Sequence, residues 1–119
     1  MERVLVVDDE ESIVKFLAEA LRRKGYTVDV ASSGEEAFEM AKIHRPHLVL
    51  LDIRMPGMGG LEALRKIKSA DPVMRVIVIT AVRDQETIEQ AYRLGVSNFV
   101  TKPFELDSLA EAVKETLRS

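Results

Sequence analysis

The sequence predicts an α/β fold, in which helices cover both faces of a five-stranded parallel sheet. Three observations support this prediction. Short apolar runs alternate with longer amphipathic segments along the whole chain. Several of the short runs are apolar on both faces, as strands buried between two layers of helices require. The 119 residues, 46% of them hydrophobic, suffice for the core of one domain, which we place at residues 1–119.

Five segments have the length and composition of buried strands. They are Arg3–Val7, Thr27–Ala31, Leu48–Leu51, Val76–Ile79 and Asn98–Val100. Right-handed connections between parallel strands would place the intervening helices on both faces, so we predict a doubly wound sheet.

Five further segments, each following a strand, carry apolar residues at helical spacing. The first helix runs from about Ile13 to Leu21 and meets a stop signal at Gly25. The second begins at a capping-box pattern formed by Ser33 and Glu36. The other three are predicted from the apolar sets Leu61, Leu64 and Ile67; Ile88, Ala91 and Tyr92; and Leu106, Leu109, Ala110, Val113 and Leu117. The chain therefore contains five βα units in succession.

Composition and charge exclude several classes of function. The net charge of −3 and the lack of a basic block argue against direct binding of nucleic-acid phosphates. The chain has no cysteine, so disulfides, thiolate metal sites and cysteine nucleophiles are excluded. Neither a signal peptide nor a membrane span is predicted, and we expect a cytoplasmic protein.

Polar residues stand at the ends of four predicted strands. Asp8 and Asp9 follow the first strand, Asp52 the third and Thr80 the fourth, while Lys102 follows the fifth. Because the carboxyl ends of parallel strands meet at one edge, these side chains should form one acidic pocket. Each residue alone has a simpler explanation, the aspartates as turn or helix-cap residues and Thr80 as a strand residue. Their convergence favours a site.

The chemistry predicted for this pocket is phosphoryl transfer to a carboxylate. Crowded carboxylates repel each other unless a cation compensates, and Mg²⁺ prefers oxygen ligands. A carboxylate is also a competent nucleophile towards phosphorus, and a lysine and a threonine could stabilise the transferred group. The two histidines, His44 and His47, flank Pro46 at a turn and are expected to be solvated loop residues.

Four motifs occur in order at these strand ends. They are Val6-Val7-Asp8-Asp9-Glu10, Leu50-Leu51-Asp52-Ile53-Arg54-Met55-Pro56-Gly57, Ile79-Thr80-Ala81 and Thr101-Lys102-Pro103-Phe104. Together they resemble the receiver domain of bacterial two-component response regulators, over essentially the whole chain. The resemblance implies a flavodoxin-like sheet with strand order 2-1-3-4-5. It also implies a signalling phosphoacceptor that catalyses only its own phosphorylation and autodephosphorylation.

The resemblance assigns the metal and phosphorylation roles residue by residue. It implies that Asp52 accepts a phosphoryl group from a sensor histidine kinase or a phosphotransferase. Mg²⁺, or Mn²⁺ in its place, would be bound by Asp9, by Asp52 and by the backbone carbonyl of Arg54. Asp8 would act through a metal-bound water.

The resemblance also implies phosphoryl contacts and a switch. Lys102, the Thr80 hydroxyl and the backbone of Ala81 would contact the phosphoryl group, and the bond before Pro103 is expected to be cis. Thr80 and Phe99 would move together and remodel the fourth helix, fifth strand and fifth helix, a face for an output domain, a downstream protein or a homodimer. Because a phenylalanine has no hydroxyl, we expect its inward state to be favoured, and the alternative is that Phe99 is ordinary core.

Three positions depart from the commonest family pattern. Gly59 stands where aspartate is frequent, which removes an N-cap for the third helix and predicts a looser turn. Arg54 and Val82 lie two residues after Asp52 and Thr80, where family side chains affect the attacking water. Neither can orient that water, so we expect a long phosphoryl lifetime.

Two other classes of function fit part of this pattern. Haloacid-dehalogenase-type phosphatases also use an aspartyl phosphate, but their nucleophile belongs to an Asp-x-Asp motif after the first strand, which Asp8-Asp9-Glu10 lacks. A pseudo-receiver would bind partners without phosphorylation, but such proteins commonly lose one of the pocket residues. Within the receiver family, a free-standing protein and the amino-terminal part of a larger regulator both fit the sequence.

Overall fold

Five strands and five helices alternate in the computed structural model, which describes residues 2–55, 57 and 59–118. They are β1 (Arg3–Val7), α1 (Glu11–Arg23), β2 (Thr27–Ala31), α2 (Gly34–His44), β3 (Leu48–Leu51), α3 (Gly60–Ala70), β4 (Arg75–Thr80), α4 (Gln85–Arg93), β5 (Asn98–Thr101) and α5 (Leu106–Arg118). Pro56, which belongs to the second sequence motif, lies outside the described residues. Among those residues, no helix has the length and hydropathy that a bilayer span requires.

The five strands form one parallel sheet in the order β2-β1-β3-β4-β5. This order confirms the predicted fold class. The three central strands are buried on both faces, because alternate residues enter different hydrophobic clusters. Leu5 and Val7 join the cluster that includes residues of α2, α3 and α4, whereas Val4 and Val6 join the cluster that includes residues of α1 and α5. Helices therefore cover both faces of the sheet, as predicted.

Polar residues extend two strands beyond their predicted bounds. β4 begins at Arg75, which pairs with Leu48, and both β4 and β5 end at threonines that pair with each other, Thr80 and Thr101. The apolar pattern identified only the buried part of each strand, while the hydrogen-bonded ladder continues for one more residue. Thr80 is consequently part of the sheet.

The capping box of α2 forms with one change of partner. The Ser33 Oγ accepts a hydrogen bond from the Glu36 N–H at 3.1 Å, as predicted. The Glu36 carboxylate, however, accepts from the backbone N–H of Ser32 at 2.7 Å, one residue before the N-cap. The first interaction satisfies a backbone donor that the first turn of a helix leaves free, and the second ties the residue before the N-cap to that turn.

The start of α3 approaches the backbone after β3 very closely. A Cβ atom on Gly60 would lie 2.0 Å from the Cα of Ile53, so only glycine fits there. Gly59 is the N-cap, has no side-chain cap, and adopts φ 78° and ψ 156°, a conformation that is essentially restricted to glycine. An aspartate at this position would therefore have to adopt a strained backbone conformation.

Candidate functional site

The carboxyl ends of β1, β3, β4 and β5 carry the predicted pocket residues to one edge of the sheet. Val7 pairs with Leu51, so the chains that leave β1 and β3 emerge side by side. The backbone N–H of Asp52 continues this ladder by donating to the Val7 carbonyl at 3.0 Å. On the other side, the N–H of Lys102 donates to the Thr80 carbonyl at 2.9 Å. Sheet hydrogen bonds thus position these residues.

Three carboxylates meet at this edge. Asp8, Asp9 and Asp52 each offer an oxygen that lies within 4.8 Å of the others. Asp8 and Asp52 are buried, whereas Asp9 is exposed. The structure therefore brings together the acidic residues that were predicted to share a pocket.

Two tight turns orient the buried carboxylates. The Asp8 Oδ1 accepts from the N–H of Glu10, and the Asp52 Oδ1 accepts from the N–H of Arg54, both at 2.9 Å. Asp8 therefore begins a turn, as the simpler interpretation proposed, but it does not cap α1, whose N-cap is Glu10 and has no side-chain cap. One oxygen of each carboxylate is fixed by the turn, which leaves Oδ2 for the pocket.

Lys102 bridges these carboxylates from the end of β5. Its Nζ lies 2.7 Å from the Asp8 Oδ2, 3.2 Å from the Asp52 Oδ2 and 3.3 Å from the Glu10 Oε1. The three N–H donors of an ammonium group match these three acceptors. The sequence did not predict the Glu10 contact. The partners are 92 residues apart, and Glu10 resembles any acidic residue at the start of a helix.

The charges of the pocket are only partly balanced. Burial raises the pKa of the Asp8 carboxyl, and repulsion by Asp52 adds to this, while hydrogen bonds from Lys102 and the Glu10 N–H act in the opposite direction. Burial alone would lower the pKa of Lys102, but its hydrogen bonds with Asp8 and Asp52, and their charges, raise it well above its ordinary value. Several carboxylates share one ammonium. Their interactions outweigh the cost of burying the Lys102 charge, whereas the interactions of Asp8 do not outweigh the cost of burying its own charge.

The donor set fits a hard divalent cation. Such cations prefer oxygen ligands, and Mg²⁺ in particular binds through one or two carboxylates while keeping several waters. The cluster offers two buried carboxylates and one exposed carboxylate, and burial raises the pKa of Asp8, so added positive charge nearby would stabilise its ionised form. The residues present are thus suited to a magnesium ion.

The loop after β4 is joined to the end of β5 by a side chain. Thr80 is fully buried, and its Oγ1 accepts from the Val82 N–H at a long distance of 3.4 Å. Ala81 is exposed. Arg83 donates from Nη2 to the Lys102 carbonyl at 3.0 Å, which joins this loop to the end of β5. The sequence did not predict this link, because an exposed arginine in a loop has many potential partners.

Phe99 and Pro103 lie in or just after β5, whereas the two histidines lie away from the pocket. Phe99 is half-buried and packs against the cluster under α2, α3 and α4, and the Lys102–Pro103 peptide bond is cis. The histidines lie elsewhere: His44 is the last residue of α2 and so is helical, and the His47 Nδ1 accepts from the Arg3 N–H at 2.9 Å, where β1 and β3 begin. Neither histidine belongs to the pocket.

Fold and pocket together indicate a receiver-type domain, and comparisons with known proteins agree with that class. Residues 4–114 match the response regulator receiver domain family, so the chain belongs to this family. Its members are signalling phosphoacceptors that interact with kinases, phosphotransferases and output domains.

Individual relatives support the same assignment. The chain is 38% identical over 116 residues to sporulation initiation phosphotransferase F of Bacillus subtilis, covering 98% of this chain and 94% of the relative. A CheY-like receiver domain protein from Methanospirillum hungatei superposes with a TM-score of 0.96 at 30% identity, covering 99% of this chain and 94% of that one. A chain of the CheX–CheY–BeF3–Mg²⁺ complex from Borrelia burgdorferi has a TM-score of 0.91 at 32% identity, covering 96% and 87%.

Proposed function

We propose that this chain is a phosphoacceptor of a two-component phosphorelay and that Asp52 receives the phosphoryl group. The observation that carries the proposal is the bridge from Lys102 to the Oδ2 atoms of Asp8 and Asp52 in a pocket made by four strand ends. Asp52 follows the central strand β3, is only 5% exposed, and lies between the acidic pair after β1 and the lysine after β5. Among the acidic residues of the pocket, it is therefore the most centrally placed.

The reaction is an in-line displacement at phosphorus. A carboxylate oxygen of Asp52 forms a bond to phosphorus, while the P–N bond of a donor phosphohistidine breaks and the imidazole departs with that electron pair. The ammonium of Lys102, the Thr80 hydroxyl and the backbone N–H of Ala81 stabilise the negative charge of the transferred group. The contact that Lys102 already makes with Asp52 supports its part in this arrangement.

Asp9, Asp52 and the Arg54 carbonyl would hold Mg²⁺ directly in this proposal, and Asp8 would bind it through water. When bound, the ion supplies positive charge that offsets the charge of the phosphoryl group. Support comes from the clustered carboxylates, from the raised pKa of Asp8 and from the presence of Mg²⁺ and BeF3 with the related Borrelia complex. Mn²⁺ prefers similar oxygen ligands and would substitute.

The proposed output is a change in the face formed by α4, β5 and α5. Thr80 at the end of β4 and Phe99 in β5 would act as the switch, and an output domain, a downstream protein or a second copy would read it. The donor would be a sensor histidine kinase or a phosphotransferase in the cytoplasm. In this proposal, residues 1–119 form a single receiver domain.

Labelling with acetyl phosphate tests this proposal. In the presence of Mg²⁺, the intact mass should increase by one phosphoryl group, and EDTA should suppress the increase. Asp52→Asn should abolish it, whereas Asp107→Asn, at an exposed position in the first turn of α5, should label as the parent does. Labelling of the Asp52 variant at the parental rate would overturn the assignment.

A further inference from the structure

Glu10 places an additional carboxylate against Lys102 at the mouth of the pocket. Its Oε1 lies 3.3 Å from the Lys102 Nζ, and its side chain is 59% exposed, compared with 13% for Lys102. The other two partners of the ammonium, Asp8 and Asp52, have side chains that are 4% and 6% exposed. Glu10 is thus the most solvent-exposed of the three partners.

The three partners of Lys102 differ in what the proposed function asks of them. Asp8 and Asp52 would interact with the metal ion and the phosphoryl group, so their ion pairs with the Lys102 ammonium would weaken. No such role falls to Glu10. When the phosphoryl group arrives, Glu10 is the carboxylate that stays beside Lys102, and it brings negative charge close to an anion.

We infer that Glu10 is a positioning residue whose charge opposes the phosphoryl group. The inference rests on the proposed function. Two effects act in the same direction, because Glu10 competes for the Lys102 ammonium and also repels the incoming anion. Half-exposed ion pairs are individually weak, so removing this charge should change the affinity for a phosphoryl mimic by roughly two- to five-fold. Glu10 thereby restrains the phosphorylated state without taking part in the chemistry.

Beryllofluoride titrations at saturating Mg²⁺ test this inference, with amide NMR shifts as the signal because the chain has no tryptophan. Glu10→Gln and Glu10→Ala should both bind beryllofluoride roughly two- to five-fold more tightly than the parent. The same variants should bind Mg²⁺ alone more weakly, since they lose a negative charge near the cation. Opposite changes for an anion and a cation are not expected from a loss of folding. Added salt should reduce the differences in affinity between the Glu10 variants and the parent, because it screens the charge of Glu10.

Glu11→Gln is the matched control, because Glu11 carries the same charge in the first turn of α1 and is not among the described carboxylates that contact Lys102. It should change both affinities much less. The inference would be overturned if the Glu10 and Glu11 variants had equal effects. It would also be overturned if Glu10→Gln had parental affinities, including the case in which Glu10→Ala alone showed a change. Acetyl phosphate labelling of the parent separates the two proposals. Unlabelled parent protein would refute the proposed function and this inference with it, whereas labelled parent with parental Glu10 variants refutes only the inference.

Discussion

Asp8 carries a charge in surroundings that disfavour it. Its side chain is 4% exposed, and burial is the main reason why its pKa is raised. Lys102 offsets part of this cost, but the same ammonium also serves Asp52 and Glu10. In the proposed function, a cation and a phosphoryl group bind beside this unfavourable charge, which would exemplify a common relation between stability and function.

Asp8→Asn should therefore stabilise the metal-free protein at pH 7, by roughly 0.5–2 kcal/mol, the usual range for stabilising substitutions. The folded-state pKa of Asp8 lies above its ordinary value of 3.8, so the cost of its charge is fully present above the folded-state pKa and absent below 3.8. The stability difference should shrink as the pH falls towards that value. Urea unfolding followed by far-UV circular dichroism in EDTA measures it.

The control for this experiment is Asp29→Asn, which removes a negative charge from the partly buried pair that Asp29 forms with Arg3 at 2.7 Å in the edge strand β2. It should lower stability slightly or leave it unchanged. An Asp8→Asn protein that is less stable than the parent at pH 7 would show that the Lys102 interaction outweighs the cost of burial.

At the scale of elements, the start of α3 is constrained by its close approach to the backbone after β3. Gly60 begins α3 directly against the backbone that follows Asp52, since a Cβ there would also lie 2.7 Å from the Asp52 carbonyl oxygen. Gly59 has open space around its missing Cβ but an unusual backbone conformation. The two glycines are thus required for different physical reasons, one for close approach and the other for its φ and ψ angles.

Gly60→Ala should destabilise the fold by roughly 3 kcal/mol or more, because the new methyl overlaps backbone atoms that cannot move independently. Gly59→Ala should cost roughly 1–3 kcal/mol, the range for a strained backbone conformation. Urea unfolding compares both with Ser69→Ala, an exposed position in α3 that should be close to neutral. A Gly60→Ala protein with parental stability would contradict the close approach.

The end of β4 and strand β5 carry the two residues of the proposed switch. Thr80 is buried beside a loop held by Arg83, and Phe99 is half-buried on the α4 side. With beryllofluoride and Mg²⁺, the parent should show NMR shift changes across Gln85–Arg93 and Leu106–Arg118, as a coupling of about 1–3 kcal/mol would produce. Thr80→Ala should still bind the mimic but respond weakly, and Phe99→Ala should lose the response.

Val73→Ala, at an exposed loop position, serves as the control for these two variants and should respond as the parent does. If Thr80→Ala and Phe99→Ala both show the parental pattern of shifts, other residues carry the coupling and Phe99 is ordinary core.

For the whole molecule, the fold was predictable because burial on both faces of a sheet leaves a clear pattern in the sequence. Apolar runs located β1, β2 and β3 with correct bounds, and strand ends identified Asp8, Asp9, Asp52 and Lys102, which the structure brings together. The strand order came from resemblance, since alternating strands and helices are compatible with more than one order. Family membership and fold were confirmed, while the individual site roles remain predictions.

The hydrogen-bond partners of polar side chains were much less predictable. The Glu10–Lys102 and Arg83–Lys102 interactions depend on three-dimensional placement across long sequence separations, and neither leaves a periodic signal. The capping box shows the same limit locally, because the sequence identified the residues but not that Glu36 would bond to Ser32. Apolar burial is a property of whole segments, whereas a hydrogen-bond partner is a property of a few atoms.

Mapping the phosphorylated residue tests the central claim most directly. The protein is labelled with acetyl phosphate and Mg²⁺, the acyl phosphate is reduced with borohydride to homoserine, and peptides are sequenced by mass spectrometry. We predict homoserine at position 52 alone, with aspartate retained at positions 8 and 9. Homoserine at either of those positions, or its absence from position 52 in protein whose intact mass shows a phosphoryl group, would contradict the account.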